Sequence, residues 1–157
     1  MSILIKSAKI IDADNSLDGK VFDIYIDKGI ISNIDKNIDK PAKTIISREN
    51  LHVSVGWLDS SVCFGEPGLE EREDLENGIK SAGLSGFTDI VLNSETLPIL
   101  DSKADISYIK SKTQNSVVSV HPLGALSKKS DSEELADLKE MYDVGCIGFN
   151  DFKKAIK

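Results

Sequence analysis

The sequence predicts an α/β protein in which a small β-sandwich-like segment precedes a partial (β/α) barrel of the TIM type. Two observations support this fold class. Up to residue 52, short runs of alternating apolar and polar residues are separated by turn clusters, a pattern typical of strands. From residue 53, apolar runs alternate with helical segments, as in a parallel sheet with covering helices. We therefore expect two domains, residues 1–52 and 53–157.

The first domain is predicted to consist of short strands joined by turns. Turn-forming residues cluster at residues 12–16, 18–20, 27–29 and 35–37. The third cluster, Asp-Lys-Gly, lies between two strand-like runs at residues 23–26 and 30–34. This arrangement predicts a short hairpin.

The second domain is predicted to contain about four βα units. Helical segments fall near residues 72–84, 102–112 and 132–142. In the last segment, Ser132 precedes two glutamates and Lys139 lies late, which suits a capped helix and its dipole. An eight-stranded barrel needs roughly 250 residues. Only about 100 residues follow the opening domain, so about half a barrel fits.

The composition excludes several classes of function. With 26 acidic against 19 basic residues and a pI near 4.8, the chain is a poor binder of nucleic acids and anionic membranes. No apolar run approaches the roughly 18 residues of a spanning helix, and residues 1–11 alternate too strictly for a signal peptide. Cys63 and Cys146 form no disulfide framework, so we expect a cytoplasmic protein.

Residues 55–68 form the most informative stretch, Val-Gly-Trp-Leu-Asp-Ser-Ser-Val-Cys-Phe-Gly-Glu-Pro-Gly. It resembles the first barrel strand of the dihydroorotases, cyclic amidohydrolases that carry Gly, two apolar residues, Asp, one residue, then His-x-His-x-Arg-Glu-Pro-Gly. The glycine, the aspartate and the closing Glu-Pro-Gly of this pattern are present. The two family histidines fall on Ser61 and Cys63, and the arginine falls on Gly65.

The resemblance continues towards the end of the chain, so it implies the amino-terminal portion of this family. Residues 91–98 lie where family members show a Met-Pro-Asn-Thr loop, and the substrate-contacting asparagine falls on Glu95. Residues 148–151 resemble the end of the fourth barrel strand, where Asp151 matches an aspartate that helps ligate metal in bacterial members. The other family ligands, two histidines and a catalytic aspartate on later strands, have no positions in this sequence.

The replacements imply that the family chemistry is lost. Two histidines spaced i, i+2 on a strand point to the same face and can hold a metal pair, and the arginine binds the substrate carboxylate through two hydrogen bonds. Ser61 is a poor ligand, one thiolate at Cys63 does not replace two imidazoles, and Gly65 supplies no side chain. Together with Glu95 these are degenerate positions, and we expect no catalytic residue and no cofactor. The resemblance then implies an inactive dihydroorotase-like scaffold or assembly partner, related to pyrimidine biosynthesis.

The alternative is an active metal-dependent hydrolase of cyclic amides, with a rewired site or as part of a longer chain. Cys63, Glu95, His121 and Asp151 are expected near the carboxyl ends of successive strands, where such barrels place their chemistry. In this alternative Cys63, His121 and Asp151 bind zinc. A catalytic zinc needs three protein ligands in tight geometry, however. His121 precedes a proline in an expected loop, where a histidine is usually only a surface residue.

An open half-barrel also predicts a partner. Uncovered parallel strands expose apolar faces and unpaired backbone groups, which soluble proteins rarely tolerate. We therefore expect self-association or a partner chain that covers the open barrel edge. Because some family members without the histidines accompany aspartate carbamoyltransferase, the resemblance implies a partner of that kind. The chain is expected to be the amino-terminal part of a longer protein or a short relative.

Overall fold

The computed structural model describes residues 1–155, which form two compact units that divide after Val55. The first unit contains strands β1 (Ser2–Ile11), β2 (Val21–Asp27), β3 (Ile30–Asp35), β4 (Thr44–Ser47) and β5 (His52–Ser54). The described part of the second unit contains, in chain order, β6 (Trp57–Val62), α1 (Leu75–Leu84), β7 (Phe87–Leu92), α2 (Lys103–Thr113), β8 (Ser119–Gly124), α3 (Leu138–Asp143) and β9 (Gly148–Phe149). None of these helices is long and apolar enough to cross a membrane.

The first unit is a sheet with strand order β3-β2-β1-β4, in which β5 also pairs with β1. The predicted hairpin is confirmed, because β2 and β3 are antiparallel and the turn between them has positive φ at Lys28 and Gly29. The β-rich segment is therefore present, but its described strands form one sheet rather than two layers. β5 pairs with β1 through His52, Val53 and Ser54, so this unit extends past residue 52.

A buried carboxylate fixes an irregularity in β1. The pairing of β1 with β2 shifts between Ile5 and Ala8, and Ser7 there has a φ of 53°. Asp23 accepts hydrogen bonds from the backbone N–H groups of Ser7 (2.8 Å) and Ile38 (3.0 Å) and forms an ion pair with Lys6. Burial raises the pKa of Asp23, but these hydrogen bonds outweigh it and hold the pKa below its ordinary value.

The second unit is a sheet of four parallel strands in the order β6-β7-β8-β9. One face of this sheet packs against α1 and α2, and the core between them contains Leu75, Ile79, Ile90, Leu92, Ile106, Ile109, Val118 and Val120. Helices connect β6 to β7, β7 to β8 and β8 to β9. Four parallel strands with connecting helices confirm the predicted partial TIM-type barrel.

The first two helices lie where the sequence predicts them. The side chain of Asp74 accepts a hydrogen bond from the N–H of Asn77 (2.7 Å) and caps α1. Ser102 caps α2 in a reciprocal arrangement with Asp105. These polar caps satisfy N–H groups that a helix start leaves without partners, which explains where the two helices begin.

The third helix is shorter than predicted, and the expectation that it begins at Ser132 is wrong. Ser132 has a φ of 66°, which is outside the helical region, and its N–H donates to Ser127 Oγ (2.8 Å). Leu135 forms an isolated antiparallel bridge with Ser127. These contacts fold the segment back onto the earlier part of the same connection between β8 and α3, so the helix forms only from Leu138 to Asp143. Contacts within this connection have overridden the helical pattern.

Candidate functional site

The carboxyl ends of the parallel strands bring together most of the degenerate family positions. Ser61 is the last residue but one of β6, and Cys63 directly follows this strand. Glu95 lies in the loop after β7, and Asp151 lies just after β9. The alternation of a strand and a loop therefore places these residues at one edge of the sheet, as the barrel prediction requires.

Asn93 and Asn150 link three of these strand ends through neutral hydrogen bonds. Asn93, which is buried, donates from Nδ2 to Ser61 Oγ (3.1 Å) and to the carbonyl oxygen of Val62 (3.1 Å). Asn150 Nδ2 donates to Asn93 Oδ1 (3.1 Å). The first family-histidine position is thus part of an amide and hydroxyl network. Sequence reasoning missed both asparagines, although each follows a predicted strand, because no family role had been assigned to those positions.

Cys63 carries a thiol that stays protonated at neutral pH. Its ordinary pKa of 9.0 is raised, first by partial burial and then by the nearby Glu95 carboxylate, while Lys153 opposes the effect. The thiolate is the form that attacks electrophiles and binds zinc. Raising the thiol pKa therefore weakens both roles for Cys63.

Glu95 stands where the family has its substrate-contacting asparagine and forms an ion pair. Its Oε2 lies 3.3 Å from the Nζ atom of Lys153. Both side chains are partly exposed, and such surface pairs contribute little to stability, about 0–1 kcal/mol. A carboxylate at this position repels the carboxylate of an acidic substrate, where an amide would donate to it.

Asp151 is buried, and both of its carboxylate oxygens are engaged by the loop after β8. Oδ1 accepts the N–H groups of Leu126 (3.0 Å) and Ser127 (3.0 Å), and Oδ2 accepts the hydroxyl of Ser127 (2.7 Å). Burial raises the pKa of Asp151, but the hydrogen bonds outweigh burial and hold it below its ordinary value. The one family-matched metal ligand therefore joins the end of β9 to a neighbouring loop.

We expect acid to weaken the fold through Asp151. Because its pKa is lower in the folded state, its stabilising contribution is present above the ordinary aspartate value of 3.8 and is lost as pH falls through the folded value. An Asp151→Asn variant, which cannot titrate there, should show a shallower loss of unfolding free energy below pH 3.8 than the unmodified chain. Urea unfolding at a series of pH values measures this. Parallel curves for the two proteins would contradict the prediction.

Gly65 stands at the arginine position, and the surrounding loop occupies the space that a side chain would need. Its N–H donates to the carbonyl oxygen of Glu73 (2.8 Å), and its own carbonyl accepts the N–H of Leu69 (2.8 Å). A Cβ atom at this position would lie 1.7 Å from the carbonyl oxygen of Leu69. That contact is with backbone and cannot be relieved by a rotamer change. No side chain fits at residue 65 in this loop.

Glu66 anchors the same loop to the two long helices. Its Oε2 accepts the N–H of Leu75 (3.0 Å) at the start of α1, and its Oε1 accepts the hydroxyl of Tyr108 (2.7 Å) on α2. Burial raises the pKa of Glu66, but these bonds and Lys112, 3.3 Å away, hold it below its ordinary value. The loop conformation that excludes a side chain at Gly65 is thus fixed from two sides.

His121 does not lie in a loop, as the sequence reasoning expected, but within β8. Its Nε2 atom lies 2.8 Å from Asp89 Oδ1 on the neighbouring strand β7. Hydrogen bonding to His121, then to Thr88, lowers the pKa of Asp89. The imidazole is therefore already paired across the sheet and is not presented at the strand ends.

The donor set does not fit a zinc ion. Within residues 1–155, no group of three or more His, Cys, Asp or Glu side chains is arranged to hold a metal. Cys63, His121 and Asp151 are therefore not gathered into one ligand set. Three protein ligands are the minimum for a catalytic zinc. Zinc binding stays a prediction of the alternative hypothesis, and the metal analysis proposed below tests it.

Comparison with known proteins decides the family. The sequence model described as Dihydro-orotase-like matches residues 52–157. The chain belongs to the dihydroorotase-like family. Dihydroorotases of Geobacter sp. strain M21 and Acetivibrio thermocellus are 34% and 36% identical to it, each over 99% of this chain. The chain spans only 37% and 36% of the lengths of those two relatives.

A solved structure supports the same fold for this dihydroorotase-like chain. The L-hydantoinase (dihydropyrimidinase) from Arthrobacter aurescens superimposes with a TM-score of 0.76, covering 94% of this chain and 32% of the hydantoinase. The two are 21% identical, so the likeness concerns the fold alone. This chain therefore shares its fold with about a third of the hydantoinase.

Proposed function

We propose that this chain is a dihydroorotase-like protein, related to pyrimidine biosynthesis, that does not hydrolyse dihydroorotate and acts as a scaffold or assembly partner. The observation that carries the proposal is the use of former ligand positions for structure. Asp151 accepts three hydrogen bonds from the loop after β8, and Ser61 accepts one from Asn93. These groups stabilise the strand ends and leave no free donor set for a metal.

Hydrolysis of a cyclic amide by this family requires an activated water and a group that binds the substrate carboxylate. Neither requirement is met by the residues at the strand ends. The Cys63 thiol is protonated at neutral pH because its pKa is raised. The arginine position is Gly65, where the carbonyl oxygen of Leu69 fills the space of a side chain. Loss of both functions supports a non-catalytic role.

A scaffold role is supported by the intact packing and hydrogen bonding of the fold. The core of the second unit is continuous, and α1 and α2 keep their polar caps. No buried side-chain nitrogen or oxygen in the described residues lacks a hydrogen-bond partner. The strand ends and loops lack the family's histidines and arginine, whereas the packing of the core is kept. An aspartate carbamoyltransferase-like chain is the partner we propose, and the free thiols Cys63 and Cys146 suit a cytoplasmic location.

The first experiment measures zinc per chain by elemental mass spectrometry, together with dihydroorotate hydrolysis, on protein prepared with zinc present. We expect substoichiometric zinc and no turnover above buffer. About one zinc per chain, lost in Cys63→Ser, would instead support the active hydrolase. Cys63 is exposed, so this variant removes the thiol without disturbing the core.

A matched control separates a rebuilt site from surface binding of zinc. His52 is an exposed histidine of the first unit and is not one of the family-matched site positions. Zinc that disappears in His52→Asn and persists in Cys63→Ser is bound at the surface and leaves the proposal intact. Dihydroorotate hydrolysis that is lost together with the bound zinc in Cys63→Ser would overturn the proposal.

A further inference from the structure

A groove runs along α1 on the side that faces the end of α2 and the turn after it. It consists of two neighbouring cavities of about 380 and 630 Å³, which share the side chains of Glu76, Ile79, Asn115 and Ser116. Its lining on α1 extends from the first residue of this helix to the last, a length of roughly 15 Å. We call it the α1–α2 groove.

One end of the α1–α2 groove is apolar and stands in solvent. Leu84, the last residue of α1, is 81% exposed, and Val117, in the turn after α2, is 88% exposed. Both values are high for aliphatic side chains, and exposed apolar patches on soluble proteins often mark contact sites. Small-molecule sites bury most of their ligand. With both of these walls open to water, the groove does not enclose a small ligand.

The other end of the α1–α2 groove is acidic. Residues 70–76, which lead into α1 and form its first turn, contain five carboxylates and one arginine. Within residues 1–155, none of the five forms an ion pair. Asp74 and Glu76 line the groove and suit the dipole of α1, but the dipole does not explain the three glutamates that precede the helix. This end therefore favours a positively charged partner.

Two lysines also line the groove, but they do not cancel this charge. Lys112 lies 3.3 Å from a carboxylate oxygen of Glu66, which is outside residues 70–76. Lys80 follows Glu76 by four residues on α1, a spacing at which the two side chains attract each other. Even with Glu76 assigned to Lys80, the carboxylates of residues 70–76 outnumber their arginine by four to one.

The shape of the groove favours a helix as its occupant. α1 forms one wall along the whole length, and the side chains of a further helix pack into the furrow beside such a ridge. β7, which contributes Phe87 and Thr88 to the lining, is paired on both sides, so an extended peptide finds no free strand edge there. A length of roughly 15 Å accommodates about ten helical residues, with apolar side chains at i, i+3, i+4 and i+7.

We propose that the α1–α2 groove binds an amphipathic helix of a partner protein, apolar along one face and basic at one end. The apolar side chains pack on Leu84 and Val117, and the basic end meets Asp74 and Glu76. This inference goes beyond the proposed function, because such binding requires neither the loss nor the presence of hydrolysis. Binding and turnover are measured separately, so the failure of one proposal is distinguishable from the failure of the other.

A synthetic helical peptide is the probe for this proposal. Its leucines follow the i, i+3, i+4, i+7 pattern and its last turn carries arginines, while a matched peptide carries glutamates in their place. Fluorescence anisotropy with the full chain measures binding. We expect the glutamate peptide to bind about tenfold more weakly or worse, because the acidic end of the groove repels it. Added salt should narrow the difference. An arginine peptide that does not bind, or binds no better than the glutamate peptide, overturns the proposal.

A matched pair of charge reversals locates the basic end of the probe. Glu76→Lys should raise the dissociation constant of the arginine peptide by about fivefold or more, because it replaces an attraction with a repulsion. Glu140→Lys changes the net charge of the chain equally and also lies in a first helical turn, that of α3, but outside the groove. It should leave the constant nearly unchanged. Equal effects would mean a general attraction to an acidic chain and overturn the proposal.

A matched pair of valine variants locates the apolar end. Val117→Asp should raise the dissociation constant by about tenfold or more, because binding would bury an unpaired charge. Val21→Asp changes an exposed valine of the first unit that does not line the groove, and should have no such effect. Circular dichroism shows whether both variants fold. Equal effects of the two folded variants contradict the proposal.

Sedimentation equilibrium of the full chain without peptide tests a different occupant. We expect no self-association that depends on the groove. A dimer of the 17.1-kDa chain that Val117→Asp dissociates would make a second copy the occupant and overturn the proposal.

Discussion

A Gly65→Arg variant, which restores the family residue, should unfold more readily than the unmodified chain by about 3 kcal/mol or more, the upper range of overpacking effects. The cause lies in the backbone. A Cβ atom at residue 65 would lie 1.7 Å from the carbonyl oxygen of Leu69, which is hydrogen-bonded into the same turn. Relief requires the loop to move, and Glu66 holds that loop on α1 and α2. Urea unfolding followed by circular dichroism measures the loss.

Two further variants separate the clash from other effects of the substitution. Gly65→Ala adds only the Cβ atom and should account for most of the loss, because that atom makes the contact. Gly83→Ala adds the same atom within α1, where it meets only methyl groups of Val118 (3.3 Å) and Val117 (3.6 Å). Since alanine favours helix over glycine by about 1 kcal/mol, that variant should be neutral or more stable. A Gly65→Arg protein as stable as the unmodified chain would show that the loop can reopen.

The sequence alone predicted the elements that depend on periodic apolar residues and on turn residues. The four strands of the half-barrel, the hairpin at Lys28 and Gly29, and α1 and α2 all follow from such local signals. The helix expected from Ser132 did not form, because the hydroxyl of Ser127 and the bridge to Leu135 hold that segment in another conformation. Those contacts join residues five and eight positions apart, outside the three- and four-residue spacings that a helical pattern records.

The sequence predicted which family residues the candidate site lacks, but not which groups take their place. Ser61 and Gly65 are visible as substitutions against a family pattern. What fills the space they leave depends on atoms from elsewhere, namely the amide of Asn93 and the carbonyl oxygen of Leu69. For the same reason His121 was expected in a loop, although its pairing with Asp89 requires the register of β7 and β8. Three-dimensional contacts decide these roles.

Asp151→Ala should lower the free energy of unfolding by about 3 to 5 kcal/mol, because it leaves three hydrogen-bond donors without their acceptor and each buried donor left unsatisfied costs about 1 to 3 kcal/mol. The N–H groups of Leu126 and Ser127 and the hydroxyl of Ser127 would all lose their acceptor. Asp151→Asn keeps one acceptor oxygen, so its free energy of unfolding should lie between those of the unmodified chain and Asp151→Ala. Urea unfolding at neutral pH, where the carboxylate is charged, measures all three.

The matched control for Asp151 is Asp101→Ala. Asp101 accepts one backbone N–H, that of Lys129 (2.7 Å), at an exposed contact. Water can replace that bond, so we expect a loss under about 1 kcal/mol. If Asp151 serves instead as a metal ligand, Asp151→Ala should remove bound zinc and leave the metal-free protein as stable as before. A large loss of stability in zinc-free buffer therefore assigns the carboxylate to the fold.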